Sequence, residues 1–140
     1  TRIKNNNNIN VFEDGEETRD FVYIDDVVAA TILGIEKEEA NFKVFNVGSG
    51  KRTSVLEVAK TLKNNYRSEI SINISGNFRL GDIRDNYADM QKIKETLGFT
   101  PRFTFEEGIS NFTNWVENQD VKQDNFQKSI DEMKDRGLLK

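Results

Sequence analysis

The sequence predicts a mixed α/β fold, and three observations support this prediction. Short apolar or alternating runs, as at residues 9–12 and 70–74, are typical of strands. Elsewhere apolar residues recur every three or four positions, which indicates helices with one buried face. The spacing Ser/Thr-x-x-Glu, which marks a helix start, occurs at Ser54 and again at Thr104. The 140 residues show no internal repeat and no linker that would separate two domains.

The first predicted strand comprises residues 9–12, and residues 21–24 are also extended in character. Asp25 or Asp26 is expected to cap the helix that follows, because its side-chain oxygen can accept the free amide hydrogens of the first turn. This helix is predicted to run to about Lys37, with an apolar stripe at helical spacing.

A second strand and helix are predicted in the middle of the chain. Residues 43–47 are apolar enough to form a strand, which would end at the turn Gly48-Ser49-Gly50. Ser54 then opens a helix. Residues 70–74 alternate between apolar and polar side chains, which predicts a half-buried strand.

The last part of the chain is predicted to be helical. Asp89 can cap a helix over residues 90–97, which Gly98 would end. Thr104 opens another helix, with Glu three residues later. Residues 120–140 are a charged, weakly amphipathic helix candidate.

The composition excludes several kinds of site. Histidine and cysteine are both absent, which removes the commonest general base, thiolate nucleophiles, disulfides and the commonest metal ligands. The net charge of −4 argues against a nucleic-acid surface. No apolar run approaches the ~20 residues that a membrane span needs, and no signal-peptide pattern opens the chain, so we expect a cytoplasmic protein with no membrane partner.

Three familiar catalytic and cofactor patterns are absent from the sequence. The turn at residues 48–53 is not a P-loop, because Arg52 follows Lys51 where a Ser or Thr is needed and the first Gly of the motif is missing. It also lacks the third Gly of a dinucleotide fingerprint, so a plain turn is the favoured interpretation and phosphate binding the minor one. The Tyr-x-x-x-Lys spacing is missing, since the fourth residues after Tyr23, Tyr66 and Tyr87 are Val27, Ile70 and Gln91.

Three arginines are candidates for binding an anion. Arg79 and Arg84 flank Gly81-Asp82, where a glycine lets the backbone approach a ligand, and Arg19 follows an acidic turn. A planar guanidinium is the natural two-point partner of phosphate. The alternative is that these arginines form ordinary ion pairs, Arg19 with Asp20 and Arg79 with Asp82.

Several stretches carry a family resemblance in chain order. Residues 18–28 read Thr-Arg-Asp-Phe-Val-Tyr-Ile-Asp-Asp-Val-Val, residues 45–50 read Phe-Asn-Val-Gly-Ser-Gly, and residues 79–84 read Arg-Leu-Gly-Asp-Ile-Arg. Ala88-Asp89, Leu97-Gly98-Phe99-x-Pro101, Phe105-Glu106-Glu107-Gly108-Ile109 and Trp115 follow. Over residues 9–118 the chain resembles the extended short-chain dehydrogenases/reductases, which are NAD-dependent nucleotide-sugar epimerases and dehydratases. Within this family it resembles the nucleoside-diphosphate-sugar 4-epimerases, of dTDP-rhamnose or UDP-hexose type.

The resemblance implies a specific part of that fold. It implies the C-terminal part of an extended short-chain dehydrogenase/reductase, with the last Rossmann strand and a small mixed α/β substrate domain. Residues 1–119 would be the nucleotide-sugar-binding portion, and residues 120–140 a charged C-terminal helix. The family's NAD loop and its Tyr-x-x-x-Lys would lie in an N-terminal portion that precedes Thr1. NAD would therefore be bound mainly outside this chain, and no catalytic, cofactor-binding or metal-binding residue is expected within it.

The resemblance also implies which residues contact a UDP- or dTDP-sugar. By this resemblance, the segment along the base would be Asn10, Val11 and Phe12, and the diphosphate would be contacted by Arg19 and Arg79. Asp82 would be the acidic loop residue that bonds the ribose or fixes the loop. Asn86 would face the sugar. Asp85 stands where many relatives carry His, which leaves the subfamily open.

The implied activity is inversion at the sugar C4 by transient oxidation, in a parent enzyme that is a homodimer. The chain alone would be inactive, because it would supply substrate binding and orientation only. One alternative is a fragment of a 4,6-dehydratase or a nucleotide-sugar decarboxylase. Another is a non-catalytic module of the same fold that binds a partner through its Phe-rich helix faces.

Overall fold

Five α-helices and four short strands make up the chain in a computed structural model that describes all 140 residues. The strands are β1 (Ile9–Val11), β2 (Thr18–Arg19), β3 (Thr53–Ser54) and β4 (Ile72–Ile74). The helices are α1 (Ile24–Glu36), α2 (Val55–Asn65), α3 (Gln91–Leu97), α4 (Phe105–Glu117) and α5 (Phe126–Asp135). Single 3-10 turns occur at Ile3–Asn5 and Glu38–Ala40.

The two strands predicted from alternation are confirmed, and they pair with each other. β1 and β4 run parallel, with Ile9 opposite Ile72 and Val11 opposite Ile74. A parallel pair needs a long crossover connection, and the chain between these strands contains α1 and α2. Val11 is buried, so the pair has one face against the interior.

A second pair of strands was not predicted. β2 runs antiparallel to β3, with Thr18 opposite Ser54 and Arg19 opposite Thr53. Each strand is only two residues long, which is too short for a period-two pattern to be visible in the sequence. The pair matters for function because it fixes the backbone of Arg19.

The predicted strand at residues 43–47 is wrong. This segment belongs to no sheet, and residues 44–47 make no backbone–backbone hydrogen bond. Val44 is 82% exposed, and the neighbouring Phe42 is fully exposed. An apolar run suits a segment to a sheet, but a strand also needs a partner with free backbone groups alongside. No such partner lies beside residues 43–47 in this chain.

The predicted cap of α1 is also wrong. The helix begins after Tyr23 without a side-chain cap, and it ends near the predicted place, with Lys37 as its C-cap. Asp26 is fully buried, and its carboxylate accepts the backbone N–H groups of Arg102 at 3.0 Å and Phe103 at 3.1 Å. The carboxylate thus ties α1 to a distant loop instead of satisfying the amides of its own first turn.

The predicted start of α3 is one residue early: Met90, not Asp89, is the N-cap and makes no side-chain cap bond, although Asp89 Oδ1 accepts from Gln91 N at 2.9 Å. The starts at Ser54 and Thr104 agree with the sequence prediction. Ser54 Oγ accepts from Glu57 N at 3.2 Å, and Thr104 and Glu107 form a reciprocal capping box. The bonds from Thr104 hold the pKa of Glu107 below its usual value. Gly98 ends α3 in the left-handed conformation, with φ of 70°.

The helix predicted at residues 120–140 is shorter than expected. Only α5 is helical, and residues 138–140 lie extended beside residues 78–80. The division of the chain at residues 119 and 120 stays a prediction.

The interior of the chain is small. Only 15 of 140 residues are buried, and the one cluster of packed core residues joins α1 to α3 through Ala30, Ile93, Leu97 and Phe99. Large apolar side chains along α1 remain at least 47% exposed, namely Ile24, Val28, Ile32 and Ile35. None of the five helices is long and apolar enough to cross a membrane.

Candidate functional site

Two arginines of the predicted site meet on one carboxylate. Arg19 Nη2 donates to Asp82 Oδ1 at 2.7 Å, and Arg79 Nη2 donates to Asp82 Oδ2 at 2.5 Å. Burial alone would raise the pKa of Asp82, but the hydrogen bond and charge of Arg79 and the charge of Arg19 outweigh it and lower that pKa. The sequence prediction that these residues lie together is therefore met, and both arginines converge on one anionic position.

The ion-pair alternative is met only in part. Both arginines form ion pairs, as that alternative had it, but Arg19 pairs with Asp82 instead of Asp20. Arg79 donates to no group other than Asp82, although a guanidinium carries five N–H groups. It therefore keeps donors free for a second acceptor.

Backbone bonds hold the loop that carries this carboxylate against β2. Thr18 N donates to the Arg84 carbonyl at 2.9 Å, and Asn86 N donates to the Thr18 carbonyl at 3.1 Å. Arg19 Nη1 also donates to the Arg84 carbonyl, at 3.1 Å. Asp85, at the position where the subfamily was left open, accepts from Thr18 Oγ1 at 2.6 Å. β2 thus holds residues 84–86, at the C-terminal end of this loop, beside Arg19.

The residues expected along the base extend this cluster toward β1. The Arg79 guanidinium lies over the Phe12 ring at 5.3 Å from its centroid, so Phe12 adjoins the arginine cluster. The Asn10 side chain accepts from Asn73 across the sheet at 3.2 Å. Val11 is only 2% exposed, so its side chain is closed to a ligand and only its backbone could take part.

Asn86 lies on a cleft that Arg19 shares. The cleft has a volume of about 520 Å³, and it is lined by Arg19, Asp20, Phe45, Asn46, Val47, Asn86, Tyr87 and Ala88. Asn46 and Tyr87 were not among the predicted site residues. No sequence signal joined them to the site, because residues 45–47 and 86–88 meet only in the folded chain.

Asp20, one of the lining residues, joins several segments around this cleft by hydrogen bonds. Its carboxylate accepts from Ser49 N and Ser49 Oγ, both at 2.6 Å, from Gly50 N at 2.9 Å and from Ala88 N at 3.1 Å. Burial would raise the pKa of Asp20, but the bonds from Ser49, Ala88 and Gly50 outweigh it and lower that pKa. The carboxylate therefore fastens the glycine turn and the segment at Ala88 to the residue next to Arg19.

The glycine turn is accordingly occupied by the protein itself. The amides of Ser49 and Gly50, which could have cradled a phosphate, point at Asp20. A Cβ on Gly48 would lie 2.4 Å from Asp20 Oδ2 and 2.6 Å from the Ala88 Cβ, so glycine is required for this approach. The favoured interpretation of the turn as structural agrees with these contacts.

Arg84, the third candidate arginine, turns away from the cluster. Its guanidinium donates to Glu13 and Asp14, each at 2.8 Å. The hydrogen bond from Arg84 lowers the pKa of Asp14 to about 2. Arg84 therefore joins the loop to the acidic turn, and it carries the same charge in the same loop as Arg79 without sharing its position.

The family model described as GDP-mannose 4,6 dehydratase matches residues 1–112. The chain belongs to this family. It has the fold of the C-terminal portion of the extended short-chain dehydrogenase/reductase epimerases and dehydratases.

Its relatives include enzymes of more than one reaction. A dTDP-L-rhamnose 4-epimerase of Burkholderia thailandensis is 35% identical over 108 residues, which are 77% of this chain and 30% of that protein. A UDP-N-acetyl-alpha-D-glucosaminuronate decarboxylase of Bacillus cytotoxicus is 30% identical over 110 residues, which are 75% of this chain and 34% of that protein.

Two solved structures show the same fold. UDP-glucose 4-epimerase of Thermotoga maritima, solved with UDP-glucose, is 35% identical with a TM-score of 0.76, over 83% of this chain and 37% of that one. MoeE5, solved with UDP-glucuronic acid and NAD, is 29% identical with a TM-score of 0.71, over 78% of this chain and 36% of that one. The chain thus spans about a third of the length of the proteins it matches.

The glycine turn at residues 48–50 does not fit the diphosphate of NAD. This turn has the wrong spacing for a dinucleotide, and its amides are bonded to Asp20. No group of three or more potential metal-ligating side chains lies together in the 140 residues. What the cluster can do chemically is bind an anion at Arg19 and Arg79 and present the neighbouring cleft to whatever is attached to it.

Proposed function

We propose that this chain binds the nucleoside diphosphate of a nucleotide sugar and is the substrate-binding portion of a 4-epimerase. The observation that carries the proposal is the convergence of Arg19 and Arg79 on one position, beside a cleft that contains Asn86. Two guanidinium groups can neutralise a pyrophosphate, and planar donors match its oxygen atoms.

The positions of these residues indicate where each part of the substrate would lie. The diphosphate would lie at Arg19 and Arg79, with Phe12 and the β1 backbone on the nucleoside side and Asn86 on the sugar side. Asp82 would then either bond the ribose or remain as the group that fixes the loop. These contacts bind and orient the substrate, which contributes to catalysis by proximity.

In the parent enzyme, NAD would supply oxidation and reduction at the sugar C4, from residues outside this chain. We therefore expect the 140-residue chain to be inactive alone, since it has no Tyr-x-x-x-Lys. Incubating the purified chain with NAD and UDP-glucose and assaying UDP-galactose tests this, and measurable epimerisation would contradict it. The homodimer and the cytoplasmic location stay predictions.

Calorimetry with UDP and dTDP tests the binding proposal. We expect weak, salt-sensitive binding that Arg79→Ala reduces about tenfold or more, because a hydrogen bond to a charged group contributes about 1.5–3 kcal/mol. Arg84→Ala is the matched control, since it removes the same charge from the same loop, and it should retain binding. Absence of binding by both nucleotides would favour the non-catalytic, partner-binding module.

A second candidate activity is favoured by the decarboxylase relative. A decarboxylase or a 4,6-dehydratase would use the same nucleoside diphosphate site and differ at the sugar. Assaying the parent enzyme with UDP-glucose and with a UDP-hexuronic acid, and analysing the sugar product of each, separates epimerisation from loss of CO2 or water.

A further inference from the structure

The last three residues of the chain form a backbone ladder with the segment that carries Arg79. Phe78 N donates to the Lys140 carbonyl at 2.7 Å, and Lys140 N donates to the Phe78 carbonyl at 3.0 Å. Leu80 N donates to the Leu138 carbonyl at 2.9 Å. The adjacent Asn77 carbonyl accepts from Glu13 N at 2.8 Å, but every long-range backbone bond of residues 78–80 themselves goes to the tail.

Arg79 lies directly opposite Leu139 in this ladder. The pair lies between two hydrogen-bonded positions, and in an antiparallel ladder such residues place their side chains on the same face and close together. Leu139 is only 8% exposed, whereas Leu138, which points to the other face, is 45% exposed. Leu139 therefore packs on the face from which the Arg79 side chain projects.

The tail is itself anchored to the rest of the chain. Arg2 pairs with Asp124 at 3.0 Å and lies over the Phe126 ring at 4.6 Å from its centroid. Asn7 donates to the same carboxylate at 2.7 Å. Ile130 of α5 is buried. These contacts hold α5, and α5 delivers residues 138–140 to the Arg79 segment.

We infer that residues 138–140 are a positioning strand for Arg79, with Leu139 as its positioning residue. The backbone ladder sets the place of the Arg79 Cα, and Leu139 restricts the side chain to conformers that reach Asp82 and Phe12. This inference rests on the proposed function, because it assigns Arg79 to the anion. The strand lies beyond residue 112, where the family match ends.

Leu139→Ala tests the inference, with Leu138→Ala as the matched control. Both variants keep the backbone bonds and remove the same side-chain atoms, one from the Arg79 face and one from the exposed face. We expect Leu139→Ala to weaken UDP binding roughly fivefold, equivalent to about 1 kcal/mol, and Leu138→Ala to leave it unchanged. In the Arg79→Ala background, Leu139→Ala should have no further effect, because its action passes through Arg79.

Amide hydrogen exchange provides a readout that needs no ligand. The Phe78 and Leu80 amides should exchange slowly in the wild-type chain and fast in a chain that ends at Gly137. Rapid exchange in the wild type would overturn the inference. So would unchanged UDP affinity in Leu139→Ala when Arg79→Ala loses binding. Failure of UDP to bind the wild type would instead overturn the proposed function, and slow, tail-dependent exchange would then limit the strand to fixing the loop.

Discussion

At the scale of single residues, two carboxylates organise this site by accepting donors from several segments. Asp82 holds Arg19 and Arg79 together, and Asp20 holds the glycine turn and Ala88 beside them. Both have lowered pKa values, so both are charged in the folded chain at neutral pH. Their charge is therefore linked to the stability of the site.

A double-mutant cycle on Arg19 and Arg79 measures whether they share one ligand. Each alanine substitution should cost about 1.5–3 kcal/mol of nucleotide binding, and the pair should cost less than the sum. Arg79→Lys should recover only part of the loss, because an ammonium cannot make a planar two-point contact. Additive losses, each below about 0.5 kcal/mol, would leave only the ion-pair interpretation.

The lowered pKa of Asp20 makes stability dependent on pH. A carboxyl group whose pKa is lower in the folded state contributes stability above its unfolded pKa, and this contribution is lost as pH falls through the folded pKa. Wild-type stability should therefore decline below about pH 4. Asp20→Asn should be less stable at pH 7 and show a smaller decline, as measured by urea unfolding at pH 7 and pH 3. An equal decline in both chains would remove Asp20 as its source.

At the scale of elements, contacts with distant segments fix the position of a helix and of a turn. The clearest cases are α1, which Asp26 ties to the loop at Arg102, and the glycine turn at Gly48. Each depends on one side chain or on the absence of one. Substitutions at these positions therefore report on long-range packing, not on helix or turn propensity.

Removing the Asp26 carboxylate should destabilise the chain. Asp26→Ala would leave the partly buried N–H groups of Arg102 and Phe103 without acceptors, at a combined cost of about 1–3 kcal/mol. Asp25→Ala, which removes an exposed carboxylate from the same helix turn, should change stability by less than about 0.5 kcal/mol. Equal effects of the two substitutions in urea unfolding would contradict the role of Asp26 in tying α1 to the distant loop.

Two glycine substitutions should have opposite effects. Gly48→Ala should destabilise by about 1–3 kcal/mol, because the new Cβ would overlap Asp20 and Ala88. Gly34→Ala, inside α1 with no atom within 4 Å of the added group, should stabilise by about 0.5–1 kcal/mol. Chemical denaturation of both variants provides the comparison. A neutral Gly48→Ala would mean that the turn can move away from Asp20.

At the scale of the whole molecule, the chain exposes surfaces that usually lie inside a protein. Residues 44–47 have unbonded backbone groups, and the neighbouring apolar side chains on α1 are exposed. An unpaired extended segment of this kind is a template for association. Large apolar patches have the same effect.

We therefore expect the isolated chain to be marginally stable and to self-associate. Sedimentation velocity should show oligomers that increase with concentration, and Val44→Lys should reduce them by adding charge to the unpaired segment. Lys43→Ala, which leaves that apolar side chain in place, is the control. A dilute monomer that unfolds cooperatively with ordinary domain stability would contradict this expectation.

The sequence by itself determined the features that depend on neighbouring residues. Capping boxes at Ser54 and Thr104, the left-handed end at Gly98 and the alternation of β4 each need only a few adjacent positions, and all are present. The order of the family stretches likewise determined the family. The family resemblance also named Arg19, Arg79 and Asp82 as candidate site residues, and the folded chain places these three in contact.

The tertiary structure decided which groups satisfy one another across long distances in the chain. In the folded chain the Asp26 carboxylate accepts from a distant loop and not from its own helix start. Residues 43–47 have no neighbouring strand to pair with, and Leu139 lies opposite Arg79. The physical reason is the same each time. A local pattern fixes which donors, acceptors and apolar faces a segment offers, but the acceptor of each donor depends on what the rest of the fold brings beside it.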